Sequence, residues 1–213
     1  MKKLLTLILL LSFTIKAQTI VVANEKLLWP DVKIGKQTWA TKNLDLSTYR
    51  NGDAIPQVQD AKAWIFLKTG AWCYYENKGE NGTTYGKLYN WYAVNDPRGL
   101  APKGYHIPTD AEWTTLTVYL GGDSIAGTKM KSTSGWENNG NGNNTSGFAG
   151  LPGGFRLWSG YFFNIGALGY WWSSSDEGNA RSAQPRSLNY SDGDVSRNTD
   201  SEEDGLSVRC IKD

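Results

Sequence analysis

The chain has one histidine, His106, and that sets the first limit on its chemistry. A three-histidine zinc centre has no ligand set here. A serine–histidine–aspartate triad would have only His106 to serve as base. Standing directly before Ile107-Pro108-Thr109, it reads as a structural residue that bridges a backbone carbonyl at the entry to a helix. Cys73 and Cys210 are the only cysteines, too few and too separated for a zinc ribbon or a CxxC redox motif. In an oxidising compartment such a pair reads as one disulfide, a long-loop closure valued at roughly 4–5 kcal/mol by chain-entropy arguments. Two buried free thiols are the alternative. A thiolate activated for chemistry also wants positive charge and exposure; Arg209 adjoins Cys210, but neighbours along a strand face opposite ways.

Two further groups remain. Asp192, Asp194, Asp200, Glu202, Glu203 and Asp204 could supply oxygen ligands to calcium, but without EF-hand spacing the stretch reads as a solvated acidic loop. No cofactor is expected, and calcium stands open without a motif. Trp136, Trp158, Tyr161 and Phe162 fall between a helix and the last strands, among Asn, Ser and Gly. Flat rings beside amides and hydroxyls suit a sugar or a protein partner, and loops on a rigid scaffold commonly carry function. The other reading of these four rings is that they plug the core.

The elements that must position them follow from local signals. Val32 to Trp39 alternates about a Gly turn and predicts a hairpin. Asp60–Leu67 predicts one short helix, Ala71–Tyr75 an aromatic strand, Lys78–Gly82 a loop, and Tyr85–Val94 a helix by period. Thr109 to Leu120 is the clearest helix: Thr109 as N-cap with Glu112 three residues on forms a capping box. Trp113, Leu116 and Leu120 share its apolar face, and Gly121-Gly122 ends it. Asp123 to Gly147 reads as loop, with Asn138–Asn144 on the surface. Strands follow at Phe148–Phe155, Tyr170–Ser175, Arg186–Tyr190 and Gly205–Ile211. Strands with two to three helices and no βαβ rhythm indicate an α+β fold with short antiparallel strands and long ordered loops.

Met1-Lys2-Lys3 followed by the apolar run Leu4–Ile15 and Lys16-Ala17 reads as a signal peptide over residues 1–17, too short to span a bilayer. An N-terminal membrane anchor is the alternative. Residues 18–30 form a leader with a possible strand at Thr19–Val22, and residues 31–213 one domain. Removing Lys2, Lys3 and Lys16 leaves 19 basic against 21 acidic side chains, a net charge of −2. That balance argues against a nucleic-acid partner. Expected locations are the periplasm, the cell surface or the medium.

Four segments carry a resemblance: Ile34–Leu44, Tyr85–Val94, Leu100–Trp113, and Trp171-Trp172-Ser173-Ser174 together with Ser207–Asp213. In that order they resemble the Fibrobacter succinogenes major paralogous domain family. The resemblance implies a C-type-lectin-like fold, related to formylglycine-generating (sulfatase-modifying) domains, in which the first and last strands lie together. Cys73 and Cys210 match positions where family members commonly carry Cys. The three-histidine iron site of related sulfoxide synthases lacks its ligands here, and neither cysteine has the setting of a copper-holding pair. Gln184-Pro185-Arg186 only imitates a lectin calcium tripeptide, and Trp172-Ser173-Ser174 replaces the usual Trp-Asn-Asp. The expected function is therefore an exported, non-catalytic binding module for a glycan or a surface protein. A rearranged enzyme of the formylglycine-generating superfamily and a structural subunit of a cell-surface assembly are the alternatives.

Overall fold

The computed structural model describes residues 30–176, 178 and 182–213. The signal-peptide segment and the Thr19–Val22 strand lie outside the described residues. The expected hairpin is present as β1 (Asp31–Ile34) and β2 (Gln37–Ala40). Gly35 turns it at φ +61°, where a Cβ would come within 2.9 Å of the Tyr119 ring. Next come α1 (Ala61–Ile65), capped by Asp60, and the strand β3 (Trp72–Cys73). Residues read as a loop instead enter α2 (Gly79–Tyr85), which lets Gly82 sit under the Tyr74 ring.

The stretch 85–94 is divided between β4 (Leu88–Tyr89) and α3 (Trp91–Val94). Asn90 makes the division. Its Oδ1 accepts from the amides of Ala71 and Ala93, while its Nδ2 donates to Thr69 O. It thus caps α3 and ties it to the segment before β3.

Beyond β5 (Tyr105–His106) lies α4 (Asp110–Tyr119), with both arms of the Thr109/Glu112 capping box formed. Residues 123–130, expected as loop, form α5 (Asp123–Met130). Gly127 permits it, because a Cβ there would lie 2.6 Å from the carbonyls of Gly193 and Asp194. The remaining strands are β6 (Gly153–Arg156), β7 (Phe162–Ile165), β8 (Leu168–Asp176), β9 (Ser182–Asn189), β10 (Val195–Arg197), β11 (Asp200–Ser201) and β12 (Ile211–Lys212). The fold is α+β. Among the described residues it has five α-helices where two to three were expected; the additional ones are short.

One sheet runs β1-β2-β12-β5, so the last strand lies against the first hairpin, with Ile211 between Trp39 and His106. The larger sheet runs β10-β9-β8-β6-β7, with β11 also on β9. Most pairs are antiparallel; β6 and β8 meet in parallel. Behind them lies an aromatic core in which Trp39 and Trp113 approach to 4.8 Å between ring centroids and Phe148 packs edge-on against Trp39, Trp113 and Trp171.

The expected disulfide is not formed. Cys73 is a free thiol in a cluster with Trp64, Ala71, Tyr75 and Leu88, and Cys210 is free in the separate main cluster. Each fills space as a small apolar side chain does. Burial pushes each pKa up to about 12, against the lowering effect of nearby arginines. Both are therefore protonated at neutral pH, and neither is poised as a nucleophile.

Candidate functional site

Of the four rings singled out in the sequence, the structure brings Trp158 and Tyr161 to the surface together. They occupy the tight turn between β6 and β7 and are 51% and 66% exposed. The turn closes through Leu157 N to Tyr161 O and Gly160 N to Leu157 O, both 2.8 Å. Gly160, at φ +86°, packs where a Cβ would meet Ala61 at 2.8 Å, so the turn lies directly on α1.

The other two rings are corrections. Trp136 is only 5% exposed and joins the core; its indole N–H is taken up by Ser132 Oγ and Gly150 O. Phe162 begins β7 and, half-buried, packs on Tyr75 at 5.3 Å. The two-residue period of the strand turns Phe163 outward in its place.

Arg156 positions the turn. Fully buried, it donates Nε to Gly160 O (3.0 Å), Nη1 to Val58 O (2.7 Å) and Nη2 to Gln59 O (2.9 Å). Its guanidinium also lies over the Trp64 ring at 4.3 Å and the Phe162 ring at 4.9 Å. A planar fork with several fixed donors suits this bridging role, which a lysine could not fill.

Beside Trp158 opens a cleft of about 330 Å³ lined by Ile65, Lys68, Trp158, Ser201 and Glu203, within the range of small-ligand sites. Lys68 Nζ pairs with Glu203 Oε1 at 2.5 Å. Tyr92 OH donates to the same oxygen at 3.2 Å, and Ser201 Oγ donates to Oε2 at 2.6 Å. The backbone of Glu203 is held as well, its carbonyl accepting from the buried Trp64 indole N–H at 2.8 Å. Burial works to raise the Glu203 pKa, but its hydrogen bonds with Lys68 and Ser201 prevail and hold it below the usual range.

The acidic stretch thus has structural work to do. Asp204 Oδ1 accepts from the Trp158 amide at 2.6 Å and Oδ2 from the Ser201 amide at 3.2 Å, fastening the aromatic turn to the 201–204 turn. Asp192 accepts from Ser191 Oγ and the Asp194 amide. Among the described residues no group of three or more His, Cys, Asp or Glu is arranged to hold a metal ion.

Burial pushes the Asp204 pKa up to about 7; the Trp158 and Ser201 amides oppose the rise, while the Asp200 and Glu203 charges add to it. The folded pKa thus stands above that of an unfolded aspartate, about 3.9. The stability that Asp204 contributes is fully present below that value and is lost as pH rises through about 7. His106 acts in the same direction. Burial lowers its pKa, but hydrogen bonds to Glu112 and Asp213, each 2.8 Å, outweigh burial and raise it. Urea unfolding should give a stability about 2–3 kcal/mol greater at pH 5 than at pH 8, and Asp204→Asn should remove most of that difference. Equal stability at the two pH values would contradict this placement of Asp204.

A second groove, about 650 Å³, lies between the β1–β2 turn and α4, lined by Ile34, Gly35, Lys36, Gln37, Thr114, Thr115, Val118 and Tyr119. It is larger but has no ion pair among its lining residues, where Lys36 is the one charged side chain. The Trp158 cleft, with a flat ring beside fixed polar groups, is the better candidate.

These features define an α+β domain whose first and last described strands share a sheet and whose β6–β7 turn presents aromatic rings beside a polar cleft. The chain belongs to the Fibrobacter succinogenes major domain family, whose model matches residues 32–212. Neither the curated proteins nor the solved structures contain a match.

The site could be read from the sequence only in part. The rings at 158 and 161 carried a signal, being bulky residues inside a Ser-Gly turn. The pairing of Lys68 with Glu203 carried none, since 135 positions separate its members.

Proposed function

We propose that the protein is an exported, non-catalytic module that binds a glycan on the Trp158 ring, in a C-type-lectin-like arrangement. The observation that carries the reading is a half-exposed indole fixed at both backbone and turn beside a cleft with a paired cation and carboxylate. A sugar offers an apolar C–H face to such a ring and hydroxyls to the polar wall. The adjacency of β12 and the first hairpin supports the lectin-like arrangement. An enzyme of the formylglycine-generating kind would need an activated thiol, and the two thiols here are buried and high in pKa. The amino-terminal signal-peptide pattern supports export.

The test is a glycan array probed with mature protein and with its Trp158→Ala variant. The parent should bind at least one glycan class. The variant should lose that binding by at least about tenfold, the effect of removing one stacked ring at about 1–3 kcal/mol by analogy with base stacking. Because Trp158 is half-exposed and its indole N–H carries no hydrogen bond within the described residues, the variant's melting temperature should stay within about 2 °C of the parent. An array with no glycan bound, or binding unchanged in Trp158→Ala, contradicts the proposal.

A further inference from the structure

Resting on the glycan reading, we infer that the Lys68–Glu203 pair makes the cleft selective for neutral sugars with adjacent hydroxyls, and against acidic ones. The geometry of the pair carries the inference. Glu203 is held from three sides: Lys68 and Tyr92 on Oε1, and Ser201 on Oε2. Each carboxylate oxygen has about two acceptor positions, so Oε2 keeps one beyond Ser201. Lys68 has three donors and is more than half exposed, with Glu203 as its ion-pair partner. The pair therefore presents a fixed donor beside a fixed acceptor on the wall of the cleft that also contains Trp158. Two neighbouring hydroxyls, one accepting and one donating, match that pattern while the sugar's apolar face lies on the ring.

Charge sets the exclusion. Within the described residues, Lys68 is the one cation lining the cleft. It is faced by Glu203 and by Glu202, whose pKa is raised first by burial and then by the Glu203 charge, with Asp176 adding. A uronate or sulfate group would meet more carboxylates than cations.

The experiment compares affinities of the mature protein for two oligosaccharide sets by isothermal titration: neutral hexose oligomers and polygalacturonate oligomers. Wild type should favour the neutral set over the acidic set by at least about tenfold. Lys68→Ala, at an exposed side chain, should weaken neutral binding by about ten- to a hundredfold, as expected for a charge-assisted hydrogen bond, in a protein that still unfolds cooperatively although Glu203 loses its ion-pair partner. Glu203→Gln should narrow the gap between neutral and acidic sets. A preference for polygalacturonate, or neutral affinity unchanged in Lys68→Ala, overturns the inference while leaving glycan binding intact. Absence of binding to both sets, together with an empty glycan array, overturns both the inference and the reading it rests on.

Discussion

Replacing Arg209 with leucine should destabilise the protein by about 3–5 kcal/mol and lower its melting temperature by roughly 10 °C. Arg209 is 1% exposed, and its ionic interactions within the described residues include no carboxylate partner. Its partners are neutral acceptors: Asn43 Oδ1 at 2.8 and 3.1 Å, Ala40 O at 3.1 Å and Phe148 O at 2.6 Å. Its guanidinium also lies 4.3 Å from the Phe148 ring centroid. Two effects oppose each other in the substitution. Removing a buried cation relieves a desolvation cost, which is why apolar replacements of buried ion pairs are often neutral. That relief requires the partners to leave with the charge, and here three acceptors stay behind. Asn43 Oδ1 keeps the Trp171 indole N–H at 2.8 Å, but the carbonyls of Ala40 and Phe148 lose the donor that joined them. Leaving buried acceptors unsatisfied at about 1–3 kcal/mol each outweighs the relief. Burial pushes the Arg209 pKa down to about 9, so the group is still charged at neutral pH and its hydrogen bonds have full ionic strength. Thermal unfolding of Arg209→Leu beside wild type checks this, and a change below 1 kcal/mol would contradict it.

The second large effect is expected at Arg156, and it should reach the site. Arg156→Met keeps much of the aliphatic stem but removes the donors to Val58 O, Gln59 O and Gly160 O. A loss of about 3 kcal/mol in stability is expected. Because Gly160 O belongs to the turn that holds Trp158, ligand affinity should fall at least about tenfold although Arg156 lies beneath the site and has no exposure. This separates a positioning residue from a contact. Trp158→Ala should lose binding with stability retained, whereas Arg156→Met should lose both. In Arg156→Met, acrylamide should also quench the Trp158 emission more readily, since the turn is freed from residues 58 and 59. Unchanged affinity in a folded Arg156→Met protein would show that the turn holds its shape without the arginine.

What could be read from the sequence was local. The Thr109/Glu112 capping box and the Gly35 hairpin are decided within a few residues, and both formed as expected. Long-range closure was not legible. Gly205–Ile211 alternates in sequence as if one face met water, yet Glu203 through Ile211 are all buried, because the segment threads between both sheets. Arg156 and Arg209 each satisfy carbonyls from remote segments, a role no local pattern announces. Trp136 stood among Asn and Gly, where a loop-borne ring and a core plug were both open; the acceptors that draw its indole inward, Ser132 Oγ and Gly150 O, lie on either side of that loop. The helix α5 was hidden by Gly127, a poor helix former, whose missing side chain is what lets the 193–194 carbonyls approach.

The site followed the same division. Trp158 and Tyr161 were visible as turn aromatics. The alternation that turns Phe162 in and Phe163 out depended on where β7 begins, and a one-residue shift in that start reverses both. Glu203 was visible only as one of six acids available to an ion, whereas the fold uses it as one half of an ion pair.

The most direct measurement is a titration of ¹⁵N-labelled mature protein with the best-bound neutral oligosaccharide, followed through the indole N–H resonances. Trp64, Trp72, Trp91, Trp136, Trp171 and Trp172 donate theirs to buried acceptors, so they should shift little. The Trp158 indole resonance should move in saturable fashion and disappear from the spectrum of Trp158→Ala. A titration in which the core indoles move while Trp158 stays fixed would contradict the account.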